Sequence, residues 1–283
     1  MRAVETFNPR AALFRLWIYG VAALLALLCG FPLAWMLITS LKPDREILTA
    51  TPSFWPSEVH LDAYTRLFDT TSFGTYFINS IVVAGSATLL TIFVATLAAY
   101  GITRFRFPGR GLIAGTMLFT YMFAPIMIVV PFYILMRTAG LVNSHLGLAL
   151  AYTAFSLPFS MWLLRSFFQS IPLELEEAAM TDGATRPQAV ARVIVPMALP
   201  GVIAVSIFTF IVAWNDYLFA RVLISSNNLK TLPVGMQDLY TSTVTDWGMM
   251  MAAGVVITLP ALAFFVMVQR YLIAGWGAGA VKG

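Results

Sequence analysis

Six uninterrupted apolar stretches constrain this chain more than any other feature: Leu16 to Thr39, Phe77 to Ile102, Leu112 to Met136, Leu146 to Leu164, Gly201 to Ile224 and Trp247 to Leu272. About 20 apolar residues in helical conformation match the hydrocarbon thickness of a bilayer. Lipid-facing backbone must also satisfy its hydrogen bonds internally, so these segments read as six transmembrane helices and the chain as an all-α membrane protein. Only 11% of the 283 residues are charged and 59% are hydrophobic, against ~25% charged in a soluble domain. Cys29 is the only cysteine, which leaves no intrachain disulfide and no thiolate zinc site, and it reads as a small core residue. The first stretch follows Arg2, Arg10 and Arg15. It is longer than a signal-peptide core and leads into Lys42-Pro-Asp-Arg-Glu without a small-x-small cleavage site, so it reads as a retained helix.

Orientation follows the cations in the short loops. With a cytoplasmic N-terminus, Arg2, Arg10, Arg15, Arg104, Arg106, Arg110, Arg165, Arg186, Arg192, Arg270 and Lys282 fall inside. Lys42, Arg45, Arg66, Arg137, Arg221 and Lys230 fall outside, a bias of eleven to six that puts both termini in the cytoplasm. The outer segment Ser40 to Tyr76 carries Pro52, Trp55, Pro56 and a short amphipathic helix around Leu61 to Phe68, a docking place for a soluble partner. Arg104, Arg106 and Arg110 in one tight inner turn read as a topology anchor. Pro158 and Pro260 would kink their helices unless neighbours satisfy the freed carbonyls. His60 and His145 fall in separate outer loops and suggest no metal site.

The inner segment between the fourth and fifth stretches is the most structured. Ser170 is positioned to cap a helix, Pro172 fits its first turn, and Glu174, Glu176 and Glu177 suit the positive end of its dipole. Gly183 ends that helix and Thr185 to Gln188 has capping-box spacing for a second, which stops near Pro196 and Pro200. The two helices fold into a knob facing the cytoplasm.

Glu177-Ala178-Ala179, Asp182-Gly183-Ala184, Ile194, Pro196, Leu199 and Pro200 together resemble the EAA loop of ABC-importer permeases. Trp214-Asn215-Asp216-Tyr217 and the tail from Gln269 to Gly283 resemble the carbohydrate-uptake type, in particular the smaller permease of maltose, trehalose and glycerol-phosphate transporters, although Gly275-Trp276 departs from the usual tail. The resemblance implies a type I importer permease fold, 1–283 as one transmembrane domain, with 1–76 as first helix and outer segment and 77–272 as a five-helix core. It further implies a cytoplasmic coupling helix within 168–200 and a cytoplasmic tail over 273–283. Glu177, Ala178, Ala179, Asp182, Gly183, Ala184, Ile194 and Pro196 are then the residues that couple to an ATPase, and Gly277, Gly279 and Lys282 a tail contact with it. The implied partners are a second permease forming a heterodimer, an ATPase dimer, an extracytoplasmic solute-binding protein and membrane lipid, in the inner membrane of a bacterium.

The chain has no Gly-x-x-x-x-Gly-Lys-Ser/Thr phosphate loop. It is therefore read as a transport subunit and not an enzyme, binding no cofactor itself, with ATP and Mg on the partner ATPase. Nucleic acid is not an expected partner. The expected cargo is a di- or oligosaccharide such as maltose or trehalose, with glycerol phosphate or a polyol as the alternative. A secondary transporter would need an internal repeat and several intramembrane charges, and the only carboxylate in the stretches is Asp216. Asn215, Asp216 and Tyr217 are candidates for a solute path or gate. Asn79, Ser80, Tyr121, Tyr152 and Phe155 are further side chains of the kind that hold sugars, with no readable pattern.

Overall fold

The computed structural model describes residues 9–49, 51, 53–241 and 246–279. Among them there are helices and turns and no strand. The helices are α1 (Pro9–Ser40), α2 (Asp44–Ile47), α3 (Asp62–Asp69), α4 (Phe73–Arg104), α5 (Arg110–Thr120), α6 (Pro125–Thr138), α7 (His145–Ser170), α8 (Leu173–Thr181), α9 (Arg186–Ala189), α10 (Val195–Met197), α11 (Leu199–Asn215), α12 (Leu218–Leu223), α13 (Leu232–Tyr240) and α14 (Trp247–Gly279). Four are long and apolar enough to cross a membrane on their own: residues Phe14–Ser40, Phe73–Arg104, His145–Ser170 and Trp247–Met267. Two bent pairs, α5 with α6 (105°) and α9–α10 with α11 (79°), bring the number to as many as six where each pair is counted as one span.

The chain divides into two compact units, residues 1–70 with 243–256 and residues 71–242 with 257–283. In the first, α1 presents Leu16, Leu24, Leu27 and Leu28 outward, the surface expected of a helix solvated by lipid. Cys29 is also exposed. The core position expected of it is corrected, because nothing in this unit covers that part of α1. The amphipathic helix of the outer segment is α3, with Ala63 and Leu67 buried. Lys42, 3% exposed, donates to the Ser53 carbonyl and lies 4.6 Å from the centre of the Trp35 ring. Gly254 sits against Met36, whose sulfur would be 2.6 Å from any added Cβ.

In the second unit α4, α7 and α11 pack against one another. Without a hydrophobic drive between helices in lipid, close packing of small side chains has to hold such a bundle. α4 supplies that face with Ala84, Ala87, Thr91, Ala95 and Ala99, all 0% exposed and three or four residues apart. Gly201 at the start of α11 lets the backbone approach the Phe167 ring, 2.5 Å from where a Cβ would be.

Three predicted elements differ. The third stretch is two helices bent by 105°: Ala124 is extended, as a residue before proline prefers, and α6 begins at Pro125. The fifth is interrupted at Asp216. The last helix continues past 272 to Gly279, so the first part of the expected tail is helical. α7 and α14 run through Pro158 and Pro260 as continuous helices.

Candidate functional site

The inner knob is built on α8. Ser170 does not cap it: α7 runs as far as Ser170, whose hydroxyl donates to Phe167 O at 2.7 Å, and Pro172 takes the capping position instead. A serine hydroxyl at a helix end bonds back to its own carbonyls when the chain does not turn there. The C-terminus of α8 is as the sequence predicts. Gly183 has φ 93°, and its N–H donates to Met180 O at 3.1 Å while that of Ala184 donates to Ala179 O at 3.0 Å. Those two bonds form a Schellman closure, which requires a left-handed residue. Gln188 Oε1 accepts from Thr185 N–H at 2.9 Å to start α9.

Between α9 and α10 the backbone makes one π-helical turn, Val190–Ile194, with Val195 N–H bonded to Val190 O. Pro196 has no N–H to continue the α-helical ladder, and a one-residue shift of register accommodates it.

The motif residues divide into two sets. Glu177, Ala178, Asp182, Gly183 and Pro196 are exposed, and Ala179 and Ala184 are half-buried. Ile194 is 0% exposed, packed with Phe168, Ile171 and Ala198. It fastens the knob to the end of α7. A groove of about 310 Å³ lies on the exposed side, lined by Ala179, Asp182, Gly183, Gln188 and Arg192 among others.

One residue the sequence leaves ordinary is central to the knob. Glu176 is 0% exposed. Its carboxylate accepts from the Tyr100 hydroxyl, pairs with Arg104 Nε at 3.1 Å, and lies 3.8 Å from Arg186 NH1. Arg104, its side chain 8% exposed, also donates to Ile171 O at 3.0 Å. The Arg186 guanidinium sits 5.4 Å from the centre of the Phe105 ring. A buried carboxylate is tolerated only when paired and hydrogen-bonded, and this one joins α8 to the last turns of α4. Arg106 and Arg110 are exposed, so the three arginines of that turn differ in environment. The signal available was the spacing of Glu176, one residue ahead of the exposed Glu177 and so on another face of α8.

The second candidate set lies at the interruption after α11. Asp216 is extended (φ −71°, ψ 128°), and its Oδ2 accepts from Phe219 N–H at 3.0 Å, Ala220 N–H at 3.2 Å and the Tyr152 hydroxyl at 2.9 Å. It caps α12 where an uninterrupted helix was expected. Asn215 bonds back to Ile211 O at 2.9 Å, and Tyr217 is 41% exposed. Asn79 donates to Asn228 O and Lys230 O, both at 2.9 Å, and Ser80 accepts from Leu232 N–H at 2.8 Å. These two fasten the segment ahead of α13 to α4. Gly277 and Gly279 fall within α14, and Lys282 lies outside the described residues. Among the described residues no group of three or more His, Cys, Asp or Glu is placed to hold a metal ion.

Comparison with known proteins agrees with this architecture. Residues 91–276 match the family described as "Binding-protein-dependent transport system inner membrane component". The chain is 37% identical over 276 residues to the inner membrane ABC transporter permease protein YcjP of Escherichia coli (strain K12), covering 97% of this chain and 99% of that protein. It is 35% identical over 266 residues to the trehalose/maltose transport system permease protein MalG of Thermococcus litoralis, covering 93% and 95%. Among solved structures it resembles a chain of a bacterial ABC transporter involved in the import of the acidic polysaccharide alginate, with TM-score 0.83, 22% identity and coverage of 95% and 99%. That likeness establishes the type I permease fold.

Proposed function

The chain belongs to the family of binding-protein-dependent transport system inner membrane components, and on that premise we propose that it is one of two permeases forming the path for a di- or oligosaccharide such as maltose or trehalose. The exposed side of the knob, Glu177 to Ala184 with Pro196, docks on a cytoplasmic ATPase dimer that supplies the energy. Both termini lie in the cytoplasm, and Gly277, Gly279 and Lys282 reach toward the same ATPase. A solute-binding protein delivers the sugar on the other side.

The observation that supports this most is the rigid elbow at Gly183. A short helix closed by a Schellman turn and joined to α4 through buried charges moves as one piece. A lever that transmits closure of an ATPase must do that. A neutral sugar is favoured over glycerol phosphate because no Lys or Arg falls in the central part of the six apolar stretches. On this reading Asp216 shapes the outer end of the path by holding α12, and does so without touching the sugar.

The test is to tag the chain, express it with its chromosomal neighbours and measure what co-purifies, the ATPase rate and the uptake of labelled maltose and trehalose into vesicles. A second membrane subunit and an ATPase should co-purify, and Gly183→Val should lose coupled hydrolysis. Uptake by this chain alone without ATP would overturn the reading.

A further inference from the structure

The knob meets the inner ends of the membrane helices through two charged contacts, and they differ in kind. One is buried: Glu176 ties α8 to Tyr100 and Arg104 in the last turns of α4. The other is at the surface. Arg186 opens α9, its side chain is 47% exposed, and its guanidinium lies 5.4 Å from the centre of the Phe105 ring. Its NH1 stands 3.8 Å from Glu176 Oε1, beyond hydrogen-bond reach. That oxygen already accepts from Tyr100, and Oε2 faces Arg104. One carboxylate balances one guanidinium, so the contact that places Arg186 against the membrane helices is the ring face.

Phe105 is positioned to pass on a displacement of Arg186. It follows the last residue of α4 in extended conformation (φ −90°, ψ 138°) and begins the turn over residues 105–109 that leads into α5. Its ring also stands edge-on to Tyr100, with centroids 5.8 Å apart. The turn has little slack. Pro108 has a fixed φ, Gly109 is left-handed at φ 84°, and Arg110 NH1 at the start of α5 donates back to Phe105 O at 3.5 Å. At its other end α5 meets α6 at 105°, and residues at such a junction can absorb a tilt of α5 without carrying α6 with it.

We propose that Arg186 is a positioning residue that carries motion of the knob to α5 through the Phe105 ring, separately from the buried joint to α4. The buried joint cannot open without stranding a charge. A cation on an exposed ring face is held weakly enough to slide. The knob and α4 therefore move together, and α5 follows with a travel of its own. The inference rests on the reading of the knob as the element that docks on the ATPase, and it adds the route by which ATPase closure reaches the third span.

The experiment uses the complete complex of this chain, its partner permease and the ATPase, reconstituted in vesicles with the solute-binding protein. Labelled maltose or trehalose taken up per ATP hydrolysed is the readout, because a merely structural loss lowers both quantities together and leaves their ratio unchanged. Arg186→Ala and Phe105→Leu, which keeps apolar bulk but no ring face, should each lower the ratio by about twofold to fivefold, the weight of one exposed cation–π contact. The double variant should be no worse than either single one, since both remove the same contact. Arg186→Lys keeps a cation over the ring and should retain most of the ratio. Co-purification of the partners verifies assembly. Losses that multiply in the double variant, or a ratio unchanged in both single ones, would overturn the proposal. So would release of the ATPase by Arg186→Ala and not by Phe105→Leu, which would make Arg186 a direct contact of the ATPase. If the unmodified complex takes up neither sugar with ATP, the importer reading itself fails, which is a different result.

Discussion

Two charged clusters outside the apolar helices resemble each other on paper and differ in the molecule. On the inner knob, Glu176 meets Arg104 with side chains 1% and 8% exposed. In the outer segment, Arg66 NH2 reaches Asp44 and Asp246, each at 2.9 Å, with side chains 33%, 63% and 25% exposed. The distances are similar and the surroundings are not. Removing one partner of a buried pair strands a charge away from water, whereas water replaces a lost partner at an exposed one. The knob therefore depends on its ion pair for position, and the outer segment is held chiefly by the burial of Leu67 and Ala63 and by Lys42 against Trp35.

The widest separation should come from Glu176→Ala, which leaves Arg104 unpaired and is expected to cost about 3–5 kcal/mol. The melting temperature of the detergent-purified complex reads it. Replacing both partners by apolar residues, Glu176→Leu with Arg104→Met, should recover much of that loss. Equal instability in the single and double variants would mean the carboxylate matters for its Tyr100 bond and not for its charge.

Gly183→Val should come next, at about 1–3 kcal/mol. At φ 93° no neighbour lies within 4 Å of an added Cβ, so the cost is backbone strain alone. Gly183→Asn, which tolerates the left-handed region, should be milder. If asparagine and valine lose ATPase coupling alike, the glycine serves close approach of the partner rather than the turn.

Asp216→Ala should cost about 0.5–2 kcal/mol as the loss of a helix cap. Asp216→Asn, which keeps an oxygen for the Phe219 and Ala220 N–H groups, should stay close to the parent. Hydrogen exchange over residues 218–223 locates the effect, and an asparagine variant as damaged as alanine would point to the charge itself.

These differences also mark what the sequence could carry. The long helices were legible because apolar length is a one-dimensional property, and the turn at Gly183 because glycine and a capping box act on their own neighbours. The partner of Glu176 lies 72 residues earlier, at Arg104, and no local rule joins them. The bends at Ala124 and Asp216 were missed for a related reason. Each break lies within a mainly apolar stretch, so the signals were a single proline and a single aspartate whose side chain finds its N–H partners only once α11 has stopped. Tyr121, Tyr152 and Phe155 were visible as candidates, and folding separates them: Tyr152 holds Asp216, while Tyr121 and Phe155 line a cavity of about 600 Å³ at the break between α5 and α6.

The outer segment supplies the smallest effects, and they test the comparison from its weak side. Arg66→Met should cost no more than about 1 kcal/mol and lose most of its effect in high salt, as exposed pairs do. A cost matching that of Glu176→Ala would erase the distinction between the clusters.

Glu46 in the same segment is half-buried, and hydrogen bonds from the Ser57 hydroxyl and backbone N–H hold its carboxyl below the ordinary 4.5. Its stabilising effect is therefore complete above the unfolded value and is lost as pH falls through the lower folded value. Hydrogen exchange at Ser57 N–H, corrected for the intrinsic pH dependence, should be unchanged from pH 7 to 5 and lose protection only in the acid range below 4.5. Glu46→Gln should remove that acid step, because a neutral amide cannot titrate there. A protection step between pH 5 and 7 would assign the opening to another group, and the outer segment would then depend on a charge that the exposed pairs do not explain.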